Sequence, residues 1–297
     1  MDEHVLPAEE FERYRPRLRA VAYRMLGSLS EADDAVQDTW LRASQADARV
    51  VENLGGWLTT VAARVCLNIL RSRERRREEP LEVHMPDPVV GPEHGGDPEQ
   101  EALLADSVGL ALMVVLDSLS PDERLAFVLH DMFAVPFDVI APLLERSPAA
   151  TRQLASRARR RVREQAPDPD PDLARQREVV DAYLSAARRG DFDALVGVLH
   201  PDIVLRADGG EARARFTTVL RGAQQVTGPA VDTARRLAPF ARPALVNGAA
   251  GVVTVVGRRV VSVMGFTVAG GKIVAIDVLV DPERLADVDI AGLGLGV

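Results

Sequence analysis

Cysteine and lysine are each down to one residue in this chain, and long apolar runs are missing. Cys66 is the single cysteine among 297 residues, which excludes an internal disulfide and any cysteine-rich zinc site. It falls in an apolar helical stretch, so a buried thiol is expected there rather than a nucleophile. No stretch of about 18 uninterrupted apolar residues occurs, so no membrane span is expected. The first residues, MDEHVLPAEEFERYR, are charged and lack an apolar signal core, and a cytoplasmic location is expected on that ground. Lys272 is the sole lysine. The remaining positive charge is arginine, which suits planar bidentate contacts, although a GC-rich genome gives the same bias.

What is present is acidic overall and basic in two places. The net charge of −8 taken alone argues against nucleic acid. Yet Trp57–Arg77 holds six arginines against one glutamate, and Glu145–Arg163 holds seven against one. Basic patches in an acidic chain make local footprints for phosphate while limiting indiscriminate binding. Hydrophobic and charged contents of 47% and 27% are ordinary for a globular protein, and the length allows two or three compact units.

Taken in order, Phe11–Leu26 reads as an amphipathic helix with Leu18, Val21, Ala22 and Met25 on its apolar side. Gly27 ends it, and Ser30 with Asp33 caps the next helix. There Asp34, Gln37, Asp38 and Leu41 recur at i, i+3, i+4 and i+7 and share a stripe, opposite apolar Ala32, Val36 and Trp40. An acidic, amide-bearing surface with one exposed leucine is thereby offered outward. Arg49–Gly56 reads as a loop and Trp57–Arg77 as a helix. Its core side is Leu58, Val61, Ala62, Val65 and Ile69; its other side is Thr60, Arg64, Asn68, Arg71 and Arg75. Amide and guanidinium groups on one face suit base edges and phosphates.

Those residues carry a resemblance. EADDAVQDTWL followed by NLGGWLTTVA and LRSRERRR resembles domain 2 of bacterial sigma factors of the extracytoplasmic-function class. The resemblance implies that Asp34, Gln37, Asp38 and Leu41 dock on the clamp of core RNA polymerase. It also implies that Asn53, Thr60, Arg64, Asn68, Arg71 and Arg75 read the −10 promoter element. The family often has a Pro-Arg pair before the tryptophan, where this chain has Leu54, Gly55 and Gly56. It often has Asn where Arg64 stands and Asp where Asn68 stands.

Residues 79–101, rich in proline, glycine and acid, read as a linker without a core of its own. A helix is expected over Ala102–Leu119, and SPDE at Ser120–Glu123 is a capping box opening another that runs to about Met132. Pro136–Leu144 and a helix capped by Ser147, running to about Arg163, flank a tight turn at Glu145–Arg146: a helix-turn-helix. Leu154, Ala158 and Val162 face inward. Arg152, Gln153, Ser156, Arg159, Arg160 and Arg163 face outward, a composition fit for the major groove. After the first pattern this motif is similar to sigma domain 4, which implies reading of the −35 element.

PDPDPD at Pro167–Asp172 is a second linker, stiffened by alternating prolines. Helices are expected over Arg177–Arg189 and Asp191–Leu199, split by Gly190, then strands over Ile203–Ala207, Ala244–Val256, Val260–Val268 and Lys272–Val280. Helices followed by a strand-rich half indicate α+β. HPDIVL at His200–Leu205 and the closing strands resemble the SnoaL-like, ketosteroid-isomerase-like cone. One sigma subgroup carries this cone together with three short signatures, which Met85-Pro86-Asp87-Pro88, Asp208-Gly209-Gly210 and Asp281-Pro282-Glu283-Arg284-Leu285 resemble. The resemblance implies regulatory contacts among Pro86, Asp87, Pro88, Asp208, Gly209, Gly210, Asp281, Pro282 and Glu283.

The expected architecture is therefore multidomain: two all-α sigma domains, the second a helix-turn-helix, then an α+β SnoaL-like cone. The boundaries are 1–78 for sigma domain 2, 79–101 linker, 102–166 sigma domain 4, 167–173 linker, 174–286 cone and 287–297 tail. The expected partners are core RNA polymerase and promoter DNA, with no cofactor, no metal and no membrane. A small-molecule ligand for the cone stays open. The alternative is a ligand-responsive one-component helix-turn-helix regulator, which has no need of the acidic helix. An isomerase or cyclase needs a general base in an apolar cavity. Asp277 and Asp202 are the nameable candidates, both more naturally surface or turn carboxylates, and His200 before proline reads as a turn residue. Phe216, Phe240, Met264 and Phe266 line either a pocket or the core.

Overall fold

Helix ends are set by residues that satisfy or interrupt the backbone. In the computed structural model, which describes residues 6–46, 51–75, 84–92, 109–288 and 293, α1 covers Ala8–Glu12 and α2 covers Arg15–Leu26. The single helix expected over Phe11–Leu26 is thus broken at Arg13–Tyr14. Pro16 has no N–H and sits where a helix start needs none, in the first turn of α2. Gly27 closes α2 in the left-handed region at φ 76°, and α3 covers Leu29–Ala43. Its cap is Ser28, whose hydroxyl accepts from Glu31 N–H, and not Ser30.

The long helix α4 runs Leu54–Arg75, so it starts inside the stretch expected to be loop. Asn53 Oδ1 accepts the Gly56 N–H at 2.9 Å and caps it. A Cβ on Gly55 would meet the Tyr14 ring at 2.8 Å, and one on Gly56 would meet the Asn53 amide at 2.9 Å. The two glycines therefore weaken helix propensity locally but allow close packing and the cap. Arg76 and Arg77 lie outside the described residues. Leu18, Val36, Leu58 and Ala62 join Phe11 in one core, with the Phe11 and Trp40 rings 5.1 Å apart. Val61 and Ile69, expected inside, are only half-buried, while Thr59, Ala63, Cys66 and Leu67 are buried.

Leu110–Asp117 forms α5 and ends two residues short of Leu119; residues 102–108 of the helix expected from Ala102 lie outside the described residues. The Ser120–Glu123 box opens α6 at Pro121–Phe127, whose last turn relaxes into a π-turn over Val128–Met132. Then come α7 at Phe137–Leu144 and α8 at Pro148–Gln165. Between them Glu145 takes φ 55°, a left-handed residue that lets Arg146 N–H reach Ala141 O. Residues 1–79 and 113–165 cluster as one compact unit, and 80–112 with 166–297 as another.

In the second unit, α9 (Leu173–Arg189) is capped by Asp172 and ended by Gly190 at φ 65°; Asp191 caps α10 (Phe192–Val198). The sheet contains β1 (Val90–Gly91), β2 (Leu199–Asp208), β3 (Thr218–Arg221), β4 (Ala241–Val246), β5 (Ala249–Val256), β6 (Arg259–Ala269) and β7 (Lys272–Leu279), with α11 (Ala223–Leu237) after β3. Strand order is β1-β4-β5-β6-β7-β2-β3, antiparallel except for the β2–β7 pair. The strand expected over Ala244–Val256 is two strands, because Asn247 and Gly248 both take positive φ and make a two-residue hairpin. Asp170 of PDPDPD accepts the Gly270 and Gly271 N–H groups at 2.9 Å each. Those two bonds hold its carboxyl below the usual range, so the proline-rich segment is docked as well as stiff.

Candidate polymerase, promoter and linker contacts

On α3 the stripe inferred from spacing faces solvent. Asp34 and Gln37 are exposed, Leu41 is 50% exposed, and Asp38 is half-buried in an ion pair with Arg42 at 3.0 Å. Ala32 and Val36 behind them are fully buried, so the helix is pinned by its back and free at its front. An exposed leucine among acidic groups is a surface prepared for a partner with apolar and basic character.

On α4, Arg64 and Asn68 are exposed, half a helix away from buried Ala62 and Cys66. Burial pushes the Cys66 thiol up to about 12. The other four expected −10 residues have intramolecular duties as well. Asn53 caps the helix, the Thr60 hydroxyl donates to Trp57 O at 2.7 Å, and Arg75 Nε donates to Arg71 O. Arg71 Nη2 pairs with Asp122 of α6 at 2.9 Å, and Arg146 of the helix-turn-helix pairs with the same carboxylate at 2.9 Å. Nearby, Arg124 is 2% exposed; its Nε donates to Arg24 O and its Nη1 pairs with Asp117. The two arginine-bearing helical regions thus pack directly on one another.

On α8, Arg152, Gln153, Ser156, Arg160 and Arg163 are exposed, and Leu154 and Ala158 are buried. Arg159 differs: it is half-buried and its Nε pairs with Asp131. Arg152 lies over the Phe137 ring at 5.3 Å, which holds its guanidinium near the helix-turn-helix surface.

The three short signatures of the second unit come together. Asp208, 3% exposed at its side chain, accepts Met85 N–H through Oδ2 and Gly210 N–H through Oδ1, each at 2.9 Å. Arg284 donates to Asp208 at 2.9 Å, to Asp87 at 2.6 Å, and to the Met85 carbonyl. One guanidinium therefore touches all three signatures. Met85, Pro86 and Pro88 are buried, and the linker goes on as β1, with Val90 opposite Val246. Asn247 adds a second hold: its N–H donates to Val89 O at 2.8 Å and its Oδ1 accepts Val89 N–H at 3.0 Å. The linker expected to lack a core is in this part a strand of the sheet.

Glycine is obligatory at this junction. A Cβ on Gly209 would lie 2.1 Å from Arg213 O, and Gly210 (φ 59°) places its missing Cβ against the Asp281 carboxylate. Asp281 caps Pro282–Leu285 (α12) from Glu283 N–H. Pro282 and Glu283, counted among the contact residues, are exposed. Met85 and Arg284 stand within the signatures but were not counted among the contact residues, and Asn247 was not named. The signals were a basic residue, Arg284, inside the third signature, and the Asn247-Gly248 dipeptide.

The other candidates separate by sheet face. Asp277 pairs with Arg206 at 2.8 Å and lies in register with Gly265 and Gly251, on the linker side of the sheet. Burial raises its carboxyl pKa against the pull of Arg206. Leu205, Val252, Met264 and Val278 line a cavity on the opposite side, so Asp277 cannot serve as its base. Asp202 is exposed, and its N–H donates to His200 Nδ1. Of the four pocket-or-core residues, Phe216 and Met264 line that cavity, Phe266 is core beside Tyr183, and Phe240 is exposed.

Comparison with known proteins matches residues 11–76 to Sigma-70 region 2 and residues 109–162 to Sigma-70, region 4. The chain is 38% identical to the ECF RNA polymerase sigma factor SigJ of Mycobacterium tuberculosis, over 94% of this chain and 93% of that protein. It is 34% identical to the probable ECF RNA polymerase sigma factor SigI of the same organism, over 96% and 97%. The crystal structure of M. tuberculosis SigJ superposes with a TM-score of 0.76, covering 94% of this chain and 98% of that one at 36% identity. These full-length matches set aside the one-component regulator. The chain belongs to the extracytoplasmic-function family of RNA polymerase sigma factors.

Proposed function

We propose that this sigma factor, which binds RNA polymerase and directs promoter-specific initiation, is restrained by its own cone through the linker between its two DNA-reading regions. The observation that carries the reading is Arg284, which grips Met85 O, Asp87 and Asp208 at once. The core-docking role belongs to Asp34, Gln37, Asp38 and Leu41, −10 reading to the Arg64–Asn68 face, and −35 reading to the outer face of α8. The contact residues around Asp208 and Asp281 hold the linker rather than DNA.

A length argument gives the restraint its direction. The −10 and −35 elements are separate stretches of one duplex, and each base pair between them adds about 3.4 Å. Two regions joined through Asp122 to Arg71 and Arg146 cannot occupy both elements while those pairs persist. Separation needs the connecting residues 76–109 drawn out; fully extended they reach about 110 Å. Fixing residues 85–91 on the cone removes part of that reach. The attached linker therefore favours the state that does not read a promoter.

The test is run-off transcription with purified core polymerase and a cognate promoter. Arg284→Met is expected to give more transcript than wild type at limiting sigma concentration. Equal output from the two proteins, with both bound to core, rejects the restraint. General-base catalysis has no part in this reading, because Asp277 is tied to Arg206 on the face away from the cavity.

A further inference from the structure

Where α6 ends, the chain departs from the regular helix for a few residues. The π-turn over Val128–Met132 is anchored by Val128 and Leu129, both fully buried. Such wide turns are rare and are found most often at functional sites. Ala134, just after it, takes φ 56°, a left-handed conformation that is unfavourable for any residue with a Cβ. Its N–H donates to His130 O at 3.1 Å, and Val135 N–H donates to Leu129 O at 2.9 Å. A strained exit closed by these bonds fixes where the side chains of the turn point.

Two adjacent residues of the turn reach the helix-turn-helix. The His130 ring stacks on Phe137, the first residue of α7, with centroids 3.8 Å and planes 27° apart. His130 Nδ1 donates to Val135 O at 3.0 Å, so the imidazole is held at its edge while its face covers Phe137. The same Phe137 ring carries the Arg152 guanidinium, 5.3 Å from its centroid. Asp131 accepts from Arg159 Nε at 2.5 Å. Arg152 and Arg159 stand about two turns apart on α8, so one π-turn supports its outer face at two levels.

We infer that His130 and Asp131 are positioning residues for −35 recognition, His130 acting through Phe137 on Arg152 and Asp131 acting directly on Arg159. The inference rests on the −35 reading of α8. An unsupported arginine samples many rotamers and loses them when its planar fork meets a base edge. Holding the guanidinium beforehand removes part of that loss. The His130 stack keeps the Phe137 ring in place beneath Arg152. Asp131 takes Arg159 Nε and leaves the two Nη groups, with their four hydrogens, for the DNA. A carboxylate on a phosphate-facing surface repels the backbone, so its presence there is explained by the arginine it orients.

The test is competition run-off transcription by core polymerase carrying the full-length chain. A cognate promoter competes with variants of it, each changed at a single −35 base pair. Preference is a ratio within one preparation, so chains that fail to fold drop out of it. Arg152→Ala and Arg159→Ala locate the base pair that each arginine reads, as the one where preference falls by roughly 5- to 100-fold. His130→Asn keeps a donor in the place of Nδ1 and removes the ring. It is expected to lower preference roughly 2- to 5-fold at the Arg152 base pair alone, the scale of one exposed cation–π contact. His130→Phe restores a ring face and is expected to hold most of the preference. Asp131→Asn deletes a negative charge, which by itself tightens binding to every promoter; positioning predicts a lower preference at the Arg159 base pair instead. Phe133→Leu alters the same stretch on the side that meets Arg17 and Arg24 of α2, and is expected to leave both preferences as they are. If Arg152→Ala lowers preference and His130→Asn does not, His130 has no positioning role. The same comparison of Arg159→Ala with Asp131→Asn decides for Asp131, and in both cases −35 reading by α8 stands. If neither arginine variant lowers preference at any base pair, the −35 reading falls and the positioning falls with it.

Discussion

Replacing Arg284 with methionine keeps an unbranched side chain and deletes the guanidinium that joins three segments. Asp208 stays buried and retains two N–H donors, from Met85 and Gly210, but loses its counter-charge. Asp87 and the Met85 carbonyl lose their partner on the cone as well. Removing one member of a buried pair costs about 3–5 kcal/mol. The surviving backbone donors and the 19% exposure of Arg284 place this case near about 3 kcal/mol. The loss falls on a local opening, the lifting of residues 84–92 from the sheet, more than on the sheet itself. An energy of that size corresponds to roughly 100-fold faster exchange of the protected amides of Met85 and Val89. Hydrogen exchange read by mass spectrometry on peptides spanning 84–92 measures it. Peptides from β5 and β6 serve as internal reference. Exchange over 84–92 that rises less than about 3-fold refutes the claim that Arg284 carries the attachment.

Three further outcomes follow from the geometry. Leu41→Ala removes an exposed side chain, so melting is expected to shift by less than about 0.5 kcal/mol while association with core polymerase weakens; full affinity would remove the stripe from the interface. The Asp277 carboxyl is raised in the folded chain above its ordinary 3.8, so its contribution is complete below that value and is lost as pH rises through the raised folded value. The stability advantage of wild type over Asp277→Asn is therefore expected to shrink as pH rises above 3.8, and an advantage that grows contradicts the assignment. Cys66, fully buried with its thiol pushed up to about 12, is expected to ignore an aromatic disulfide reagent until the chain unfolds; stoichiometric labelling of the native protein would show the helix packing to be wrong.

Periodicity located the surfaces, and local polar chemistry decided what each residue on them does. The 3.6-residue repeat in α3 is enough to put Asp34, Gln37 and Leu41 outside and Val36 inside. The same repeat put Arg71 and Arg159 on outward faces, where each is drawn to a carboxylate distant in sequence: Asp122 and Asp131. No spacing rule within one helix reveals such a partner. Ser30 and Ser28 are equally good caps by residue type, and only the turn after Gly27 selects Ser28. Asn53 was legible as a polar loop residue but not as the cap that lets α4 begin through two glycines. The linker was read from its prolines as lacking structure. Its attachment comes from Asp208, Asn247 and Arg284, residues more than a hundred positions away. The cone's missed elements, β1, β3 and α11, are a two-residue strand, a four-residue strand and a helix whose sequence carries Gly228 and Pro229. The two strands are too short to carry a period of their own, and in α11 the glycine and proline read as a break.

The restraint by the linker is tested most directly by fastening the linker in place. Val90 and Val246 are register partners across β1 and β4, and the neighbouring Asn247–Val89 bond makes theirs a non-hydrogen-bonded pair, with the close Cα spacing that a disulfide needs. With Cys66 inert in the core, Val90→Cys with Val246→Cys gives a bridge that oxidation closes and dithiothreitol opens. The measurement is transcript yield from a cognate promoter with core polymerase, for the oxidised and the reduced forms of this variant beside wild type. The account predicts low yield when the bridge is closed, recovery to the wild-type level on reduction, and no redox response from wild type. Equal yields from the closed and open forms, with the bridge verified by mass, would contradict it.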